Sequence, residues 1–183
     1  LSAELGFHKS TTHRLVTSLQ YMGYIRQDEE SLKYALSLKF LEIGSKILEQ
    51  TNMASLIHPS LKKLSEQTGE TVHLVRREGT EAVYIDKVES TVSSIRMVSR
   101  VGSRIPLYCS GVGKALLAEL PDPEIEDIWN SSEITSLTPY TVTSLSDLMD
   151  RIRGVREAGY AMDDEENEEG VRCIAVSIPD YHK

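Results

Sequence analysis

No stretch of this 183-residue sequence approaches the roughly 20 consecutive apolar residues of a membrane-spanning helix, and no basic start with an apolar centre marks a signal peptide. A cytoplasmic protein without membrane contact is the expectation. Cysteine is nearly absent. Cys109 and Cys173 are too few and too far apart for a disulfide framework or a four-cysteine zinc site, and they read as reduced thiols. A positive surplus is missing too. The net charge of −8 excludes a protein that coats nucleic acid over its whole surface, although such an average can hide a basic module. Residues 1–27 do carry a balance of +2, from Lys9, Arg14 and Arg26 against Glu4. That polarity suits a small nucleic-acid reader on an acidic body. What is present, 40% hydrophobic and 26% charged residues, is enough for a sizeable core in one or two domains.

The acid is concentrated in one place. Asp163, Asp164, Glu165, Glu166, Glu168 and Glu169 meet no basic residue between Gly159 and Gly170, so a core position for all six is excluded. Five of them read as solvated. The exception is Asp163, nearest the apolar Tyr160–Met162 segment. The loop lacks the spaced oxygen ligands and turn glycine of a calcium loop, so no metal is expected. Residues 171–178 then alternate Val171, Cys173, Ala175 and Ser177 with Arg172, Ile174, Val176 and Ile178. Apolar residues on both faces predict a strand deep in a sheet.

At the other end, Leu1–Leu5 reads as a short helix stopped by Gly6, and a second helix runs from a Ser10 N-cap to Gly23 with Leu15, Val16, Leu19 and Met22 on one face. Two helices joined around a glycine form a helix-turn-helix, whose second helix reads DNA with its first residues. Here those are Lys9, Ser10, Thr11, Thr12, His13 and Arg14, hydrogen-bond donors throughout. Tyr24–Arg26 and Lys33–Leu36 flank a polar turn and predict a β-hairpin, hence a winged helix over residues 1–36. Arg26 is a candidate backbone contact. A solvated amphipathic helix is the bland alternative.

Residues 37–52 read as a linker helix with Phe40, Ile43 and Ile47 in register with Leu36, a stripe to bury against its own chain or a second copy. From Met53 the pattern changes to a domain running to Lys183. It holds a helix to Thr68, a hairpin of Thr71–Val75 and Ala82–Val88 around the turn RREGTE, a strand Ser94–Ser99, and a loop bracketed by Gly102 and Pro106. An acidic helix, Asp122–Trp129, and an amphipathic one, Leu145–Ala158, follow. Helices with antiparallel strands make the body α+β. The chain opens without methionine and begins and ends inside patterns, so it reads as a fragment.

Tyr108-Cys109-Ser110-Gly111-Val112-Gly113-Lys114-Ala115 opens a helix rich in glycine, whose free N–H groups and dipole favour an anion. A nucleotide loop needs glycine where Tyr108 stands and a hydroxyl where Ala115 stands, so ATP and GTP are not expected. A small carboxylate fits better, though a glycine start serving only tight packing remains the alternative. No histidine lies near Cys109 in sequence, so a catalytic thiol is not expected. A cytosolic enzyme using Asp163 and Cys173, or a metabolite sensor without DNA binding, are the competing classes; the first lacks an oriented base and the second ignores the Lys9–Arg14 helix.

Gly159, Asp163, Glu166, Gly170, Cys173, Ile174 and Ala175, with LGFHKSTTHRLVTSLQYMGYI and KYALSLKFLEIG, resemble the IclR family of bacterial transcription regulators. The resemblance implies a winged helix whose first helix is absent here, a linker helix in a homodimer or homotetramer interface, and a GAF-like effector domain whose C-terminal end is absent. It implies no cofactor. Implied effector contacts are the backbone of Gly111 and Val112 with Asp163 and Cys173, and an apolar wall of Met97, Ile105 and Val171. Within the family, ETVHL, VYIDKVES, RMVSRVGSRIPLY, GKALLA and EEGVRCIAV are most similar to repressors of pectin and hexuronate breakdown that respond to 2-keto-3-deoxygluconate. Operator DNA and a small carboxylate are the implied partners.

Overall fold

The first turn of the chain ends where glycine lets it. Helix α1, Ser2–Leu5, stops at Gly6 in the left-handed conformation, with φ 64°, and the chain re-enters helix as α2, Lys9–Tyr21. The helix starts two residues earlier than the sequence suggests. His8 is its N-cap and makes no side-chain cap bond, while Ser10 lies inside the first turn. The start is set instead by Thr12, whose N–H and hydroxyl both donate to the His8 carbonyl, at 3.0 and 3.3 Å. At the far end Gly23, φ 76°, closes a Schellman turn: Tyr24 N–H donates to Leu19 O and Gly23 N–H to Gln20 O.

Strands β1, Ile25–Gln27, and β2, Tyr34–Leu36, pair antiparallel with Ile25 opposite Leu36. Asp28 organises their turn, accepting from the Ser31 N–H at 2.8 Å and the Ser31 hydroxyl at 2.7 Å. Lys39 ties the hairpin to the helix, donating to Met22 O at 2.6 Å with its ammonium 4.5 Å from the Tyr24 ring centroid. Helix α3, Lys39–Gln50, follows. Leu36, Phe40, Ile43 and Ile47 are all exposed, so the apolar stripe is not covered within this unit.

The computed structural model describes residues 1–50, 53–92 and 99–179, and among these the side chains of all but 48–50 and 53. The predicted break at Thr51-Asn52 and most of the predicted strand Ser94–Ser99 lie outside the described residues. The chain forms two compact units, Leu1–Met53 and Ala54–Lys183. Among the described residues of the first, Thr12 alone is buried, while Leu1, Leu5, Phe7, Leu15, Leu19 and Met22 remain exposed.

The second unit follows the α+β expectation with four differences. Helix α4, Met53–Thr68, leads to β3, Val72–Glu78, and β4, Glu81–Val88, antiparallel with a bulge at Leu74/Val75. Their turn is only Gly79-Thr80, with Gly79 at φ 65°; Arg76, Arg77 and Glu78, expected in the turn, continue the strand. The segment expected as loop before Pro106 is an edge strand, β5, Arg104–Pro106, pairing Ile105 with Ala82. Helices α5, Gly111–Ala118, α6, Asp122–Asn130, and α7, Leu145–Ala158, come next. Ser144 caps α7 by accepting from Asp147 N–H at 3.1 Å, and Gly159 ends it at φ 78°.

The acidic stretch is the third difference: it is a hairpin, not a loop. Strand β6, Ala161–Asp164, pairs with β7, Arg172–Ala175, in a register that sets Asp163 opposite Cys173. The fourth concerns residues 171–178, where the strand is shorter and one face is open: Ile174, at 72% exposure, Val176 and Ile178 face away from the core. Only β6 pairs with β7 among the described residues, so alternation produces one buried and one exposed face. Helix α5 is central, packing on α7, β3, β4, β6 and β7. Leu107, Cys109, Leu117, Ile125, Leu148 and Ile152 form the main core, each large aliphatic side chain worth about 1.5–3 kcal/mol of burial. No helix among the described residues is long and apolar enough to cross a membrane.

Candidate functional site

A glycine opens the site because nothing larger fits. Ser110 caps α5, its hydroxyl accepting from Gly113 N–H at 3.1 Å and donating to Pro106 O at 2.5 Å, which fixes the helix against β5. A Cβ on Gly113 would lie 2.2 Å from Leu107 O, so that glycine serves packing, as the bland reading held. Gly111 is different. Its Cβ would point at Cys173 Sγ, 3.0 Å away, and at Asp163, 3.4 Å away, so its bareness keeps space between α5 and the β6–β7 hairpin. Among the described residues the Gly111 N–H has no protein acceptor.

That space is a cavity of about 310 Å³, at the small end of the roughly 300–1,000 Å³ of ligand pockets. Gly111, Val112, Ile105, Asp163, Val171 and Cys173, six of the seven residues expected to contact an effector, line it together. Met97 lies outside the described residues. Sequence reasoning missed the wall that the sheet supplies, chiefly His73, Tyr84 and Arg104, with Ser99 beside it. Alternation along β3 and β4 was the available signal, but without the third strand it did not say which face turned inward.

Buried charge organises the floor. Asp163 is 4% exposed and accepts the Glu166 N–H at 2.8 Å. Glu166, expected in solvent, is 1% exposed, and so is Lys114, whose ammonium meets Glu166 Oε1 at 2.5 Å; half-exposed Arg151 approaches the same oxygen at 3.3 Å. A partner 52 residues away in sequence resolves the apparent conflict of an acid in the core. Lys114 had a legible signal, since it shares a helical stripe with buried Gly111, Ala115 and Leu117 and so demanded a carboxylate. Thr141 and Thr138 clamp the turn, donating to Glu166 O at 2.7 Å and Glu165 O at 2.6 Å.

Desolvation sets the charge state of the cavity. Burial raises the Asp163 carboxyl above the ordinary range, opposed by the Glu166 N–H bond and Lys114 and reinforced by the Glu166 charge. Burial, then Asp163, pushes Cys173 up to about 11 and Cys109 up to about 12, so both stay thiols at neutral pH and neither is an activated nucleophile. Tyr84 is pushed up to about 12 by burial and by Cys173, Asp163 and Glu168. Burial and Lys87 push His73 down to about 4, leaving its ring neutral. The cavity therefore presents a neutral phenol, imidazole and thiol beside the Arg104 guanidinium and the Asp163 and Glu168 carboxyls, an arrangement for holding a small polar molecule. No group of His, Cys, Asp and Glu among the described residues is arranged to hold a metal ion.

In the N-terminal unit, Lys9, Ser10, Thr11, His13 and Arg14 are exposed along the start of α2, and Arg26 is exposed on β1 opposite Ala35. Thr12 is a correction: at 7% exposure with its hydroxyl turned to His8 O, it supports the helix and is not available to a partner. At the hairpin turn, the Ser31 hydroxyl and N–H hold the Asp28 carboxyl below its usual range, keeping a negative charge there.

Comparison with known proteins places both parts of the chain in one family. Residues 1–29 match the IclR helix-turn-helix domain, and residues 45–183 match the C-terminal domain of the bacterial transcriptional regulator IclR. The chain is 39% identical over 178 residues to the HTH-type transcriptional regulator XynR of Escherichia coli K12, covering 97% of this chain and 70% of XynR. It is equally 39% identical over 180 residues to KdgR of the same organism, covering 98% of this chain and 68% of KdgR. The crystal structure of the Thermotoga maritima IclR superposes with a TM-score of 0.75 at 35% identity, over 98% of this chain and 72% of that one. These relatives are transcriptional regulators rather than enzymes, and the KdgR likeness matches the subgroup that the sequence resembles. The chain belongs to the IclR family of DNA-binding bacterial transcriptional regulators.

Proposed function

We propose that this chain is the core of a cytoplasmic repressor of sugar-acid breakdown genes, in which residues 1–36 bind operator DNA, 37–52 link two copies, and 53–183 bind the effector. The effector is a small keto or sugar acid such as 2-keto-3-deoxygluconate. Its carboxylate lies at the Gly111 and Val112 end of α5, Asp163 bonds its hydroxyls, and Ile105, Val171 and Met97 form the apolar wall. Lys9, Ser10, Thr11, His13, Arg14 and Arg26 contact DNA, phosphates through the cations and base edges through the start of α2. The open stripe of Leu36, Phe40, Ile43 and Ile47 supports assembly as a homodimer or a homotetramer.

The observation that carries this reading is the gathering of Gly111, Asp163 and Cys173 around one cavity at a helix start. Calorimetry with glyoxylate, pyruvate, 2-keto-3-deoxygluconate and 4-hydroxybenzoate tests it. Saturable binding of a keto or sugar acid, weakened by Gly111→Ala, is the expected result. Binding of none of the acids, or equal binding by the Gly111→Ala chain, overturns the reading.

A further inference from the structure

The acid reading draws its polar contacts from the α5 and hairpin side of the cavity and leaves the polar groups of the sheet side unused. Tyr84 stands there, half-buried on β4, and its hydroxyl takes no protein partner among the described residues. Cys173, Asp163 and Glu168 of the hairpin line the same cavity, so Tyr84 and the hairpin border one space that a ligand would fill. The Tyr84 ring is held by a neighbour. His73 packs on it with centroids 4.9 Å apart and is itself anchored by a 2.7 Å hydrogen bond between Nε2 and Ser99 Oγ. A phenol hydroxyl donates and accepts, so it can pair with a ligand alcohol in either role.

Size points the same way. The cavity's 310 Å³ corresponds to roughly ten waters at about 30 Å³ each. A three-carbon keto acid seated at Gly111 would leave most of that volume to water and the Tyr84 hydroxyl without a ligand group. A six-carbon acid carries hydroxyls along the chain beyond its carboxylate and can meet Asp163 and Tyr84 together.

We propose that Tyr84 is a specificity-determining residue, which selects polyhydroxylated acids over short keto acids by bonding a hydroxyl distant from the carboxylate. This rests on the acid reading of the cavity. A site built to pair a ligand hydroxyl discriminates strongly against a ligand lacking it, because the protein group is then left unpaired.

The test is calorimetry of the full chain with 2-keto-3-deoxygluconate and with pyruvate, on wild type and Tyr84→Phe, which keeps the ring and its contact with His73. The expected result is a preference of wild type for the sugar acid. Tyr84→Phe should reduce sugar-acid affinity roughly tenfold and leave pyruvate affinity and melting temperature unchanged. Equal loss for both acids assigns Tyr84 to cavity shape and overturns the inference alone. So does unchanged sugar-acid affinity, or a wild type that binds pyruvate as tightly. A wild type that binds neither acid overturns the acid reading and this inference with it.

Discussion

Deleting the Lys114 ammonium should be among the most damaging single changes in the effector unit. Lys114 and Glu166 are each 1% exposed and 2.5 Å apart, so Lys114→Met leaves a carboxylate in the core facing only Arg151, at 3.3 Å and half in solvent. Glu166 Oε2 already has no partner among the described residues, so there is no second set of bonds to fall back on. Breaking a buried pair from one side costs about 3–5 kcal/mol, against a total of about 5–15 for a typical domain. Glu166→Gln strands the ammonium instead and belongs to the same range. The double change Lys114→Met with Glu166→Leu removes both charges, while the bonds to Asp163 and Thr141 survive because they use the Glu166 backbone. It should therefore cost far less than the sum. Urea unfolding reads this directly, because Trp129, the one tryptophan, sits in α6 beside Tyr108 with ring centroids 6.0 Å apart. With a slope of about 1–3 kcal/mol/M, each single variant should lower the midpoint by roughly 2 M. Additive losses in the double variant, or single losses under about 1 kcal/mol, would refute the assignment of this pair.

Three further outcomes follow from exposure and charge. Arg14→Ala should weaken binding to duplex DNA and reduce the salt slope by about 1, whereas Thr12→Ala, at a buried position, should lower stability and leave that slope alone; filter binding across salt concentrations separates them. Ile43→Asp should abolish self-association measured by sedimentation, since it places a charge in the stripe proposed to join two copies; an unchanged assembly moves the interface elsewhere. His73 stays neutral when folded, at about 4, while in the unfolded chain it takes up a proton below about pH 6.5. Its contribution to stability is thus full above pH 6.5 and lost as pH falls toward 4. Melting temperatures over that range should fall more steeply for wild type than for His73→Phe, and parallel profiles would contradict it.

Much of this was legible because local chemistry decides it. Ser110, Ser144, Gly6, Gly23 and Gly159 start or stop helices through their own bonds and dihedral freedom, and each does so near the place its sequence suggests. Ser10 misled because Thr12 bonds back to His8 and takes over the start of the helix. The acidic hairpin was hidden for a longer-range reason. Asp163 and Asp164 alternate faces on β6, one inward and one outward, and that alternation has meaning only beside Cys173 and Arg172 on β7. Glu166 needed Lys114, and Tyr84 needed the cavity. The Lys114–Glu166 pair joins residues 52 positions apart, and neither residue's neighbours in sequence name the other as its partner. The Asp163 contact also alters a choice of mutation: Asp163→Ala would strip the acceptor from the Glu166 N–H, so Asp163→Asn, which keeps an oxygen there, is the cleaner probe of ligand binding.

That probe gives the most direct test of a DNA-binding regulator controlled through this cavity. Affinity for an operator fragment selected from genomic DNA should be measured with and without 2-keto-3-deoxygluconate, on wild type and on Asp163→Asn. Linkage requires that an effector which lowers DNA affinity itself binds less tightly to the DNA-bound protein. The account predicts unchanged DNA affinity of the variant without effector, release of wild type by the sugar acid, and a dose–response for the variant shifted by roughly 1–3 kcal/mol to higher concentration. Identical release curves for the two proteins, or no release of wild type at any concentration, would contradict it.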